Sequence, residues 1–195
     1  MSHAGTEDKF LKTLFPPYME GLRVLDVGHG YGQTGLYIRT RTYKTGWCEL
    51  YGVEPFKEYH DLMKRTGIYD HLEHGLAETM MYEDGFFDLS IAQHVVEHCD
   101  REAGLSLLRN MERVTNGRVI ICTPDGYTES GALDGNEHNH HLSGWSVKDF
   151  ADLGYETRVV TKNVNSRLLV RIAELIFRLR GKRWDNKVIV AWKDV

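Results

Sequence analysis

The chain has 195 residues, 42% apolar and 27% charged, with 19 glycines and four prolines; this suits one domain over residues 1–195 with a full hydrophobic core and excludes a disordered chain. A formal net charge of −4 argues against generic nucleic-acid binding, and apolar runs far shorter than a bilayer exclude a membrane-spanning protein. Three widely spaced cysteines, Cys48, Cys99 and Cys122, and a polar start, MSHAGTEDKF, fit a reducing cytoplasm and no secretory signal. Residues 1–20 read as a leading helix or loop, broken by Pro16 and Pro17. RVLDVG, at 23–28, is a short apolar run ending in glycines and predicts a buried strand; GYGQTGLYIRTR then turns and starts a helix near Gln33. ELYGVEP gives a second strand at about 50–54, stopped by Pro55. FKEYHDLMKRTG follows as a helix with Phe56, Tyr59 and Met63 on one face and Gly67 as its stop. A third strand is expected at 71–74 and a fourth, FDLSIAQ, at 87–93. REAGLSLLRNMERVT carries Leu105, Leu108 and Met111 at helical spacing, and RVIICTP is the fifth strand, at 118–123. Residues 124–144 form a long polar loop, and loops of that length in compact domains usually serve function. Ser146 with Asp149 resembles a capping box, Gly154 stops that helix, 157–161 is a strand, 166–183 a basic amphipathic helix, and KVIVAWK the closing strand. Alternating strands and helices imply an α/β fold: a doubly wound, mostly parallel sheet with helices on both faces.

In such sheets ligands sit at the carboxyl ends of the strands. Here the first strand ends in VLDVGHGYGQTG, whose glycines at 28, 30 and 32 let the backbone approach a ligand closely and aim amides at it. A dinucleotide fingerprint starting at Gly28 needs a glycine where Gln33 stands, and the GxGxxG at Gly30, Gly32 and Gly35 starts two residues late. Asp26 lies inside the apolar strand, where a carboxylate needs donors or a cation. It either ties down the loop through backbone amides or faces a ligand's ammonium group, directly or through water.

At this point the sequence resembles the class I S-adenosylmethionine-dependent methyltransferases. VLDVGHGYG is similar to their VLDVGCGTG loop, and the likeness runs from about residue 21 to 155. It implies a Rossmann-like sheet in the order 3-2-1-4-5-7-6 with the last strand antiparallel, S-adenosylmethionine as cofactor, and Asp26, Gly28, Gly30 and Gly32 around it. YGVEP matches the family's second strand, so Glu54 is the expected partner of both ribose hydroxyls, which one carboxylate can accept together. The stretch RTYKTGW lengthens the usual spacing between glycine loop and acid. HGLAE resembles the segment whose backbone reaches the adenine ring. Leu76 replaces its usual Asp, leaving the Ala77 backbone, with Pro55 and Phe56 placed to pack on the ring. FDLSIAQHVVEH is close to FDLVVSSHVLEH and sets Gln93 beside the methionine portion.

His94, Glu97 and His98 also spell HxxEH, a zinc-peptidase signature if the segment is one helix. That zinc hydrolase is a competing reading; the other is that Glu97 and His98 cap and pack a short helix while His94 lies at the acceptor's mouth. EHNHHLSGW holds His138, His140 and His141, either solvated or, with Glu137, ligands for a metal; we assign no metal here. HLSGWSVKDFADLGY resembles a segment of methyltransferases that modify sugars and small metabolites, where the loop covers the acceptor. His141 is thus a candidate acceptor contact or base, or a structural support for Trp145. Histidine suits proton removal from a hydroxyl near neutrality, so His94 and His141 are the catalytic candidates. The expected activity is methyl transfer to a small-molecule or sugar acceptor, most simply at oxygen. A non-catalytic cofactor-binding partner is the alternative. In 166–183, five Arg and one Lys against Glu174 leave a basic face that fits solvent, a dimer contact or a membrane surface.

Overall fold

The computed structural model describes residues 10–132, 134–161 and 187–195. Its seven strands are β1 (Arg23–Val27), β2 (Glu49–Glu54), β3 (His71–His74), β4 (Phe87–Gln93), β5 (Thr115–Pro124), β6 (Glu156–Thr161) and β7 (Lys187–Asp194). They form one sheet in the order β3-β2-β1-β4-β5-β7-β6. β7 runs antiparallel to both its neighbours, and the other adjacent pairs are parallel. The expected order, and the expected fold class, are both found. Because the order reverses between β1 and β4, the chain leaves these strands in opposite directions and opens a crevice at their carboxyl ends.

The central strands bury both faces, which is why they read as continuous apolar runs rather than alternating ones. Successive residues of β1 still part company. Leu25 and Val27 join Val53, Ala92 and Ile121 on one face, under α3 (Arg101–Val114) and α4 (Val147–Asp152) with their Leu107, Met111 and Phe150. Val24 joins Leu50, Leu89, Ile91 and Ile120 on the other, under Ile38 of α1 (Gln33–Thr45) and the leading residues Leu14, Phe15 and Met19. A short helix α2 (Lys57–Lys64) buries Tyr59, His60 and Met63 beside β2. Phe56, expected on that face, is instead the residue that precedes the helix.

The joins between elements have simple causes. Past Phe10 and Leu11, which are helical, the leading segment is turns up to Pro16, whose ring ends any helix. RTYKT, within the stretch that lengthens the spacing to β2, extends α1 through Thr45. β5 starts at Thr115, not 118, since α3 runs into it without a loop. At that junction the Thr115 hydroxyl donates to the Met111 carbonyl (2.7 Å) and meets the Ser90 hydroxyl at 2.6 Å. The capping box at the start of α4 is present, with Ser146 and Asp149 exchanging both bonds. The amphipathic helix expected at 166–183 lies outside the described residues.

Candidate functional site

The crevice between β1 and β4 is a cavity of about 560 Å³, within the usual range for small-ligand sites. Its floor is the glycine loop. Gly28 takes a left-handed φ of 64°, and its amide donates to the Val53 carbonyl at 2.8 Å; a methyl there would stand 2.6 Å from Val95 Cγ2. Gly32 caps α1 at φ 73°, and a methyl there would meet Met63 Sδ at 2.4 Å. Both positions combine a backbone that disfavours side chains with no room for one.

Glu54, at the end of β2, is 4% exposed and organises the loop above it. Its Oε2 accepts the Gly30 amide and its Oε1 the Phe56 amide, each at 2.9 Å. Burial raises its pKa against these bonds. A carboxylate has about four lone-pair positions, so each oxygen keeps one for a ligand hydroxyl.

Of the residues singled out in the sequence, Gly28, Gly30, Glu54, Pro55, Ala77, Gln93 and His94 line this cavity. Asp26, Gly32, Phe56 and His141 do not. Strand alternation puts Asp26 on the Val24 face, beneath α1. There its carboxylate accepts the Tyr69 hydroxyl at 2.6 Å and the Gly35 amide. Gly52, next to Asp26 across the sheet, leaves space for the Tyr69 ring. Burial, with Glu54 nearby, pushes the Asp26 carboxyl up to about 7. His29 packs on the same tyrosine, and burial takes its imidazole down to about 4. Phe56 contributes its backbone amide to Glu54.

Beyond β4 the chain turns sharply. His94 has φ 58°, its amide donates to the Cys122 carbonyl (2.7 Å), and Val96–His98 is a single 3-10 turn. The HxxEH segment is therefore no helix, and the zincin geometry of two histidines on one helical face is not built. His94 Nδ1 bonds Glu97 Oε1 at 2.9 Å, while the Thr123 hydroxyl donates to Glu97 Oε2 at 2.9 Å. Glu97 is 2% exposed; burial raises its carboxyl, but the bond to His94 opposes this and helps hold it below the ordinary value. A carboxylate only accepts, so Nδ1 carries the hydrogen in that bond, which makes Nε2 the lone-pair nitrogen of the neutral ring. Nε2 is buried with no partner among the described residues.

His94 and His98 also line a second cavity of about 570 Å³, with His141, Thr128 and Lys187. His141 sits there with Nδ1 2.6 Å from the Thr128 carbonyl. It does not hold Trp145, whose indole donates to Ser143 Oγ (2.9 Å) and whose face receives Arg101 at 3.9 Å. The histidines of EHNHH diverge: His138 reaches the cofactor-sized cavity, His140 pairs with Glu137 at the surface (3.3 Å), and His141 turns inward.

Sequence reasoning missed the strap across the cavity mouth. Asp134, at φ 57°, accepts the hydroxyls of Tyr31 (2.5 Å) from the glycine loop and Tyr59 (2.9 Å) from α2. The Asp134–Gly135 turn pair was its only signal; the partners lie 103 and 75 residues away. Tyr69 was missed for the same reason.

A family model described as a methyltransferase domain matches residues 25–122, half of the chain. No curated protein matches it in sequence. Among solved structures, the YcgJ protein of Bacillus subtilis is similar over 95% of this chain and 96% of its own, with a TM-score of 0.63 at 18% identity. A SAM-dependent methyltransferase from Archaeoglobus fulgidus is similar over 96% and 92%, with a TM-score of 0.62 at 18% identity. One from Mesorhizobium loti covers 97% of both chains with a TM-score of 0.64 at 13% identity. At such identities the likeness is one of fold.

Proposed function

The chain belongs to the methyltransferase-domain family and is an S-adenosylmethionine-dependent methyltransferase, and from that premise we propose that it methylates an oxygen of a small-molecule or sugar acceptor, with His94 as the general base. We take the chain as one such domain. The cofactor's cavity is the one over the glycine loop: Gly28 and Gly30 give close backbone approach, Glu54 accepts the ribose hydroxyls, Pro55 and Ala77 flank the adenine, and Gln93 stands by the methionine portion. Asp26, Gly32 and Phe56 act from behind this wall, Asp26 by fixing the loop's root through Tyr69 and Gly35. The fit rests on Gly30, where a Cβ would take open space in the cavity with nothing nearer than 4.0 Å, and on the lone pairs left to Glu54.

S-adenosylmethionine supplies a methyl group on a positively charged sulfur that departs as a neutral thioether. The protein's tasks are alignment, exclusion of water and proton removal. His94 Nε2 would take the proton of an acceptor hydroxyl, and the bond from Nδ1 to Glu97 fixes the ring for that task. The single observation that carries this assignment is that His94 stands on the wall shared by the two cavities, its Nε2 unpartnered and its Nδ1 held by a buried carboxylate. His141 faces only the second cavity and serves the acceptor side. Three free cysteines suit a cytoplasmic enzyme. Among the described residues, no helix is long and apolar enough to cross a membrane.

The test is a panel of hydroxyl-bearing metabolites and sugars with methyl-labelled cofactor, run on wild type and His94→Asn, since asparagine tolerates the left-handed backbone. A loss of roughly 10²–10⁴-fold in kcat with unchanged S-adenosylhomocysteine affinity supports the base assignment. Full activity in the variant would refute it.

A further inference from the structure

We propose that Glu97, His98 and His141 bind one divalent transition-metal ion, of the zinc, manganese or iron type, at the inner end of the second cavity. Ligand atoms of all three residues lie within 4.8 Å of one another. They come from places 43 residues apart in sequence: the turn after β4 and the end of the long loop. The site belongs to neither histidine set that the sequence suggests, because His94 turns to Glu97, and His140 to the surface.

The orientation of each ring argues for ligation. His98 Nδ1 bonds the His140 carbonyl at 3.2 Å, and His141 Nδ1 the Thr128 carbonyl at 2.6 Å. A carbonyl only accepts, so both rings carry their hydrogen on Nδ1 and present a lone pair at Nε2. Metal-bound histidines are fixed in the same way, with the other ring nitrogen donating to a carbonyl or carboxylate. The two rings meet edge to face with centroids 4.8 Å apart.

Glu97 supplies the charge. It is 2% exposed, and its oxygens receive His94, the Thr123 hydroxyl and its own backbone amide, which leaves one of about four lone-pair positions. A buried carboxylate with spare acceptor capacity beside two spare imidazole lone pairs is short of a cation. Two nitrogens and one oxygen suit zinc, manganese or iron better than magnesium or calcium, which prefer oxygen alone. Three protein ligands leave positions open, the arrangement of reactive rather than structural sites. Those positions face the cavity of about 570 Å³ that His94 also lines. The role of the ion rests on the methyl-transfer reading: it would hold an acceptor oxygen beside His94 and ease loss of its proton. Binding of the ion does not rest on it.

The experiment is calorimetric titration of chelator-treated full-length protein with zinc chloride and manganese chloride. It compares wild type, His98→Ala, His141→Ala and His140→Ala; the last removes a neighbouring imidazole but keeps the carbonyl that holds His98. The expected result is one equivalent bound by wild type and His140→Ala, with affinity lowered roughly tenfold or more in His98→Ala and His141→Ala. S-adenosylhomocysteine binding, measured on His141→Ala, checks that this variant is folded, since His141 lies off the cofactor's cavity. No one-to-one binding in wild type, or binding indifferent to His141→Ala, or binding abolished by His140→Ala, overturns the site. Failure of wild type to bind S-adenosylhomocysteine would instead count against the methyltransferase reading, whatever the metal result.

Discussion

Glu54 anchors the Gly30 and Phe56 amides with one carboxylate and, in the proposed function, keeps an acceptor position on each oxygen for the ribose. Glu54→Ala is therefore expected to weaken S-adenosylhomocysteine binding by about 1–3 kcal/mol, the range for hydrogen bonds to a charged group. Calorimetry measures this directly, and an unchanged affinity would mean the ribose lies elsewhere. Asp26 carries a second prediction. Its carboxyl is raised from 3.8 to about 7, so between those values the native state holds a proton that the unfolded chain has lost. Stability from this group consequently falls as pH rises from about 4 to 7, by roughly 2–4 kcal/mol in all. His29, lowered to about 4, acts in the opposite sense: below pH 6.5 the unfolded chain gains a proton that the native ring refuses, so its contribution grows with pH. Because the two slopes oppose, the wild-type curve alone hides both. Asp26→Asn isolates one: urea unfolding at pH 5 and pH 8 should show the variant gaining stability relative to wild type as pH rises. Parallel curves would show that Asp26 is ionised throughout. Neither residue's environment was legible in the sequence. Asp26 could be seen as a charge in an apolar strand, but Tyr69 lies 43 residues on, with nothing local to mark it.

At the scale of elements, the turn after β4 constrains the glycine loop. Val95 occupies the space beside Gly28, so Gly28→Ala combines a left-handed φ with overpacking. It should cost about 1–3 kcal/mol of stability, read as a lower urea midpoint at unchanged m-value; a midpoint equal to wild type would show that the loop has another conformation to use. The strap through Asp134 joins the long loop to the glycine loop and α2 by two tyrosine hydroxyls. Asp134→Ala should speed S-adenosylhomocysteine release in stopped-flow measurements while leaving thermal stability near that of wild type, as expected when a lid loses its latch. Equal release rates would reduce the strap to a surface contact. The strands and α3 were legible because burial dictates residue type at every position: β4 matches FDLSIAQ residue for residue. The turn at 94–98 was not. HVVEH has helical spacing; the left-handed His94, whose amide bonds the distant Cys122 carbonyl, and the Leu142 and Ser143 amides on the Glu97 carbonyl hold it out of an α-helix.

The whole molecule is a sheet whose order reversal makes one crevice, with a second cavity beside it that shares His94, His98 and Asn139, the long loop contributing to both. That plan was readable from alternating strands and helices, together with the resemblance carried by VLDVGHGYG, YGVEP and FDLSIAQHVVEH. The second cavity was not, because it depends on where His138, His140 and His141 turn, and adjacent histidines on a polar loop carry no periodicity to say so. In the proposed function the two cavities serve cofactor and acceptor, with His94 as base on their shared wall. The central claim is that the cavity over the glycine loop takes S-adenosylmethionine. Calorimetric titration of the chelator-treated chain with S-adenosylhomocysteine, with NADH in parallel, tests this most directly. One-to-one micromolar binding of the first and none of the second is the predicted result; binding of NADH alone, or of neither, would contradict it.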